Sequence, residues 1–121
     1  MLTLDARQEA LLRLPYPATF LPRLADEIRR DMPERVIGLD NRTLAAETER
    51  CYTYAAYELG ITCLPVLVRW TKTDVGSGGA LHREMTVDLT IRQADDPNLA
   101  AADLLAALAA SHRWPTPRSG A

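Results

Sequence analysis

No apolar run in this 121-residue chain approaches the roughly 20 residues that a membrane-spanning helix needs, so no membrane partner is expected. Cysteine is scarce. Cys51 and Cys63 are the only two, and two thiols in a chain with no recognisable secretion signal read as free. Histidine is equally scarce, with His82 and His112 alone, and no C-x-x-C pair accompanies them. That excludes the usual cysteine and histidine set of a structural zinc site, and neither a metal nor any other cofactor is expected. Neither sign of charge dominates. Fourteen basic against sixteen acidic residues leave −2, too near neutral for a nucleic-acid footprint or an anionic-membrane surface. The start, MLTLDARQEA, lacks both the basic beginning and the apolar centre of a signal peptide, which points to the cytoplasm.

What is present is the composition of a globular domain, 47% hydrophobic and 25% charged, with enough chain to bury a core without staples. Residues 1–111 read as a single domain and 112–121, with two prolines and no periodicity, as a flexible C-terminal tail. Leu4 to Leu14 suits a short helix stopped by Pro15 and Pro17. A second helix starts with Thr19 as cap, carries Phe20, Leu21, Leu24 and Ile28 at helical spacing, and stops at Pro33. Glu34 to Leu39 reads as a short strand. A third helix spans about Asn41 to Leu59, with Gly60 as its end and Leu44, Thr48, Cys51, Ala55 and Leu59 on one stripe. Asp96 followed by Pro97 opens a last, alanine-rich helix that runs to about Ala110.

The stretch from Leu64 to Arg92 reads differently. Leu64, Val66, Val68 and Trp70 alternate, and so do Met85, Val87, Leu89 and Ile91, around the glycine-rich Gly76-Ser77-Gly78-Gly79. Alternation is the period of a strand, and glycine supplies a reversal, so the pattern predicts a long β-hairpin over about 64–92. The predicted fold class is therefore α+β, a small antiparallel sheet built on that hairpin with helices packed on one face. Its register would place Arg69 opposite Glu84 and Trp70 opposite Arg83.

The sharpest catalytic pattern is Cys51 as nucleophile, His82 as base, and Glu84 or Asp88 as orienter. On a hairpin His82 would point away from Cys51, and Asp88 would stand roughly 20 Å along the strand. His82-Arg83-Glu84 contains an H-x-E, yet no downstream P-C-x-x-C follows it as in zinc deaminases. Tyr57-Glu58-Leu59-Gly60-Ile61 has the outline of a metallopeptidase helix but has tyrosine and isoleucine where both histidines must stand. Gly76 to Gly79 lacks the lysine and helix of a phosphate loop.

In order of elements, residues 43–92 resemble papain-like and transglutaminase-like enzymes, which implies a small cysteine hydrolase or transferase using Cys51 and His82. Residues 43–110 are similar in pattern, with no shared motif, to small phage tail-completion proteins that form rings. That likeness implies a structural protein that self-associates. The function expected is a non-enzymatic interaction or assembly module with protein partners, a second copy of the chain first. Its contact would be the hairpin tip, with Trp70, Lys72, His82 and Arg83 as partner-binding residues.

Overall fold

The computed structural model describes residues 5–111, and among them every regular element is helical. The α1 helix (Ala6–Leu12) opens on a reciprocal cap. Asp5 Oδ1 accepts from Gln8 N at 2.7 Å, and Gln8 Oε1 accepts from Asp5 N at 3.0 Å. The α2 helix (Pro17–Asp31) begins earlier than Thr19, with Tyr16 as the cap and Pro17 in the first turn, where its missing N–H costs nothing. Leu21, Leu24, Ala25 and Ile28 are its buried stripe, and it stops before Pro33.

Glu34 to Leu39 is not a strand. Pro33–Arg35 form one 3-10 turn, and the Arg29 guanidinium donates to the carbonyls of Val36 (3.4 Å) and Leu39 (2.7 Å). Carbonyls that a sheet would have paired are satisfied by one side chain.

The α3 helix (Asn41–Thr53) has Asp40 as its cap, accepting from Thr43 N at 2.7 Å. It runs into a wider π turn (Tyr54–Glu58), closed by Leu59 N donating to Tyr54 O, and Gly60 at φ +79° ends it.

The region 64–92 holds the principal correction, because there is no hairpin and no sheet among the described residues. It forms α4 (Leu64–Gly76), α5 (Ala80–Arg83) and α6 (Met85–Gln93), followed by α7 (Pro97–Ser111). Leu-Pro at 64–65 is a helix start, with Pro65 in the first turn. Leu67, Trp70, Thr71 and Asp74 are all buried, a helical i, i+3, i+4, i+7 row. The alternating apolar residues of the second segment divide between two faces of α6. Val87 and Ile91 are buried, whereas Met85 and Leu89, one turn apart, are exposed.

The core forms around α4, which packs against α2, α3, α5 and α7. Every residue from Trp70 to Gly76 is buried. The second half of α4 is enclosed on all sides, polar residues included, while Pro65 and Arg69 keep its first half open to solvent, and so burial there does not follow a single apolar stripe. One ion pair lies inside: Lys72 Nζ stands 2.9 Å from Asp31 Oδ2 and 3.3 Å from Glu27 Oε1. No helix of the described residues is long and apolar enough to cross a membrane. The expected tail, 112–121, lies outside the described residues.

Candidate functional site

The row of α4 that carries Leu67 and Trp70 into the core also carries Asp74, whose exposure is 0%. An aspartate there needs partners, and the turn after α4 supplies them. Gly79 N donates to Asp74 O at 2.8 Å, and Gly79 itself has φ +84°. A Cβ on Gly79 would stand 3.1 Å from His82 Cε1, at a left-handed φ that glycine takes without strain. The reversal places His82 on Asp74. Its backbone N donates to Oδ1 at 3.2 Å, and its Nδ1 lies 2.7 Å from Oδ2.

Cys51 comes from α3 and completes the group. The thiol sulfur, a carboxylate oxygen of Asp74 and a ring nitrogen of His82 all lie within 4.8 Å of one another. Cys51 is fully buried, while the His82 side chain keeps 18% of its surface.

Outside His82 stands a second layer. The Tyr54 ring is tilted against the imidazole, with centroids 5.3 Å apart. Tyr54 Oη donates to Asp88, and Arg92 donates to Asp88 Oδ2 at 2.7 Å and to Tyr54 Oη at 3.2 Å. Partial burial pushes the Asp88 carboxyl up, but the hydrogen bonds from Tyr54 and Arg92 outweigh it and hold it below the usual carboxylate range. Arg92 reaches on to Glu58 at 3.7 Å, so the groups from Asp74 and His82 to the surface form one succession, joined between His82 and Tyr54 by the ring contact.

Sequence reasoning weighed Cys51 with His82 but set the two on opposite faces of the predicted sheet, and the fold brings them together. It does so for a reason that a hairpin reading inverts: α5 folds back under α4 instead of extending as a strand. Glu84 is exposed at the head of α6 and takes no part in this group. Asp88, far from His82 on a strand, reaches it through Tyr54. Asp74 and Tyr54 were missed. On a helical reading of 64–76, Asp74 falls on the stripe of Leu67, Trp70 and Thr71, and a carboxylate on an apolar stripe is the signal that could have found it.

The expected tip contact of Trp70, Lys72, His82 and Arg83 does not form. Trp70 is 0% exposed and Lys72 is held by Asp31, because α4 is the central helix. His82 is half-buried, and only Arg83 of the four is exposed.

The arrangement is poor for cysteine nucleophilic chemistry. Burial pushes the Cys51 thiol far above its ordinary value, and the Asp74 carboxylate beside it pushes the same way. A catalytic thiol needs the opposite, an electropositive and accessible setting.

A different surface feature lies where α1 meets α2. Leu12, Tyr16 and Tyr57 are 72%, 73% and 53% exposed, and they border one cleft of about 370 Å³ that no charged side chain lines. Tyr52, also on its wall, is buried, and its hydroxyl has no hydrogen-bond partner among the described residues.

Comparison with family models, with curated proteins and with solved structures finds no match for this chain.

Proposed function

We propose that this chain acts by contact with protein, as a helical assembly module that pairs with a second copy of itself, and not by catalysis. The observation that carries the reading is the uncharged cleft with Leu12, Tyr16 and Tyr57 at its rim. Large apolar side chains gathered at one exposed place, with aromatic rings among them, are the composition of a contact surface. A second copy suits it because a two-fold contact sets a patch against itself. An uncharged patch does so without like-charge repulsion, and a net charge of −2 adds little. Two unbridged thiols suit a reducing compartment such as the cytoplasm.

Light scattering across a concentration series tests the reading. The chain should rise above its monomer mass of 13.4 kDa as concentration increases. Leu12→Asp and Tyr16→Asp, both at exposed positions, should hold it at that mass with the helical circular dichroism unchanged. A chain that stays monomeric at every concentration overturns the reading.

A further inference from the structure

We infer that Cys51, Asp74 and His82 form a binding site for a divalent transition-metal ion of the zinc class. The three donors are sulfur, oxygen and nitrogen, the set that borderline-soft zinc accepts. They come from α3, α4 and α5, so an ion held among them would tie three helices together at the centre of the fold.

The distances suit this with small movements. Tetrahedral bonds of about 2.0–2.3 Å hold ligand atoms about 3.3–3.6 Å apart. The 2.7 Å between His82 Nδ1 and Asp74 Oδ2 must open by about half an ångström, and the widest separation in the group, at most 4.8 Å, must close by about an ångström. His82 is the donor free to adjust, because its side chain is partly exposed and sits on the short α5 helix.

Charge also favours the ion. Cys51 and Asp74 are both fully buried, and their sulfur and carboxylate oxygen lie within 4.8 Å, so negative charge on both would be opposed there without solvent. A divalent cation changes that balance: one thiolate, one carboxylate and one neutral imidazole around it sum to zero. On binding, the Cys51 S–H proton leaves to solvent and the sulfur–metal bond replaces the S–H bond. Where Nδ1 is the ligand, its contact with Asp74 Oδ2 gives way to the metal bond, and any proton on Nδ1 leaves to solvent or moves to Nε2. Three protein ligands leave a fourth position for water on the His82 side, where the group approaches the surface.

Cobalt(II) added to the metal-free full chain tests the site. Cys63 is exposed, so the titration uses Cys63→Ser as its background. One equivalent should give tetrahedral d–d bands and a thiolate-to-cobalt charge-transfer band. Cys51→Ser should abolish the charge-transfer band, and His82→Gln, at the partly exposed position, should weaken binding with the helical circular dichroism retained. Zinc(II) should raise the Tm of the background chain but not that of either variant. Absence of the charge-transfer band at stoichiometric cobalt overturns the inference. So does a zinc-induced rise in Tm that persists in both variants, since the ion would then sit elsewhere.

Discussion

Lys72 shows at the scale of one residue how burial turns a charge into a constraint. Its ammonium is nearly enclosed, and it holds Asp31 as its closest partner at 2.9 Å. Lys72→Met leaves that buried carboxylate with only the largely exposed Arg30, 3.4 Å away, and should cost up to about 3 kcal/mol in urea unfolding at neutral pH. The Lys72 hydrogen bond holds the Asp31 carboxyl below its ordinary 3.8. A carboxyl lowered on folding adds stability above its ordinary value, and that contribution disappears as pH falls through the lowered value. The gap between the wild-type chain and Lys72→Met should therefore be full near neutrality and narrow below 3.8. A gap independent of pH would show that the loss comes from packing and not from the ion pair. Glycine offers a second contrast. At Gly79 an added methyl meets both a φ of +84° and His82 at 3.1 Å, so Gly79→Ala should destabilise by at least about 1–2 kcal/mol. At Gly38 nothing stands within 4 Å of an added methyl, and Gly38→Ala should be neutral or stabilising by up to about 1 kcal/mol. Thermal melts of the two variants side by side check the difference in sign.

Among the elements, α4 depends on a cap that comes from elsewhere in the chain. Its own cap residue, Cys63, makes no side-chain hydrogen bond to the helix. Asn98, in the first turn of α7, accepts instead from Thr62 N at 2.7 Å and from Cys63 N at 2.8 Å. Removing that oxygen strands two donors at the head of the central helix. Asn98→Ala should cost about 1–2 kcal/mol. In hydrogen exchange, the amides of Thr62 and Cys63 should lose protection before those of Trp70 to Gly76; equal loss throughout α4 would count against a local cap. The same dependence explains the misreading of this segment. Its cap position holds Cys63 and not Ser, Thr, Asp or Asn, and its apolar residues are not confined to one face. The ends of α3 and α7 were legible because Asp40, Gly60, Asp96 and Pro97 lie beside them in the chain.

For the molecule as a whole, the placement of the thiols gives a direct reading of cooperativity. Cys63 is exposed and should react with a thiol reagent at once. Cys51 lies in the core between α3 and α4, so its labelling requires the helices to separate. Its rate should follow global unfolding, rising with urea in step with the loss of helical circular dichroism. Rapid labelling of both thiols in the folded chain would contradict this packing and would reopen the reading of Cys51 as a nucleophile.

Local chemistry was enough to place α1, α2 beyond its first turn, α3 and α7, because caps, prolines and a one-sided apolar stripe are properties of neighbouring residues. The stripe of Leu44, Thr48, Cys51 and Ala55 already put Cys51 inside. Only tertiary packing decided the rest. Leu64 to Arg92 carries β-branched residues in an alternating pattern that suits a strand, yet it forms helices, of which α4 packs against α2, α3 and α7 with Trp70 to Gly76 buried. Where several neighbours cover a helix, side chains off its apolar stripe are buried as well, and the period that would announce the helix in the sequence is blurred. The meeting of Cys51, Asp74 and His82 has the same origin. It depends on the angle at which α5 folds back across Gly79, a backbone choice that only the packed neighbours of that turn can select.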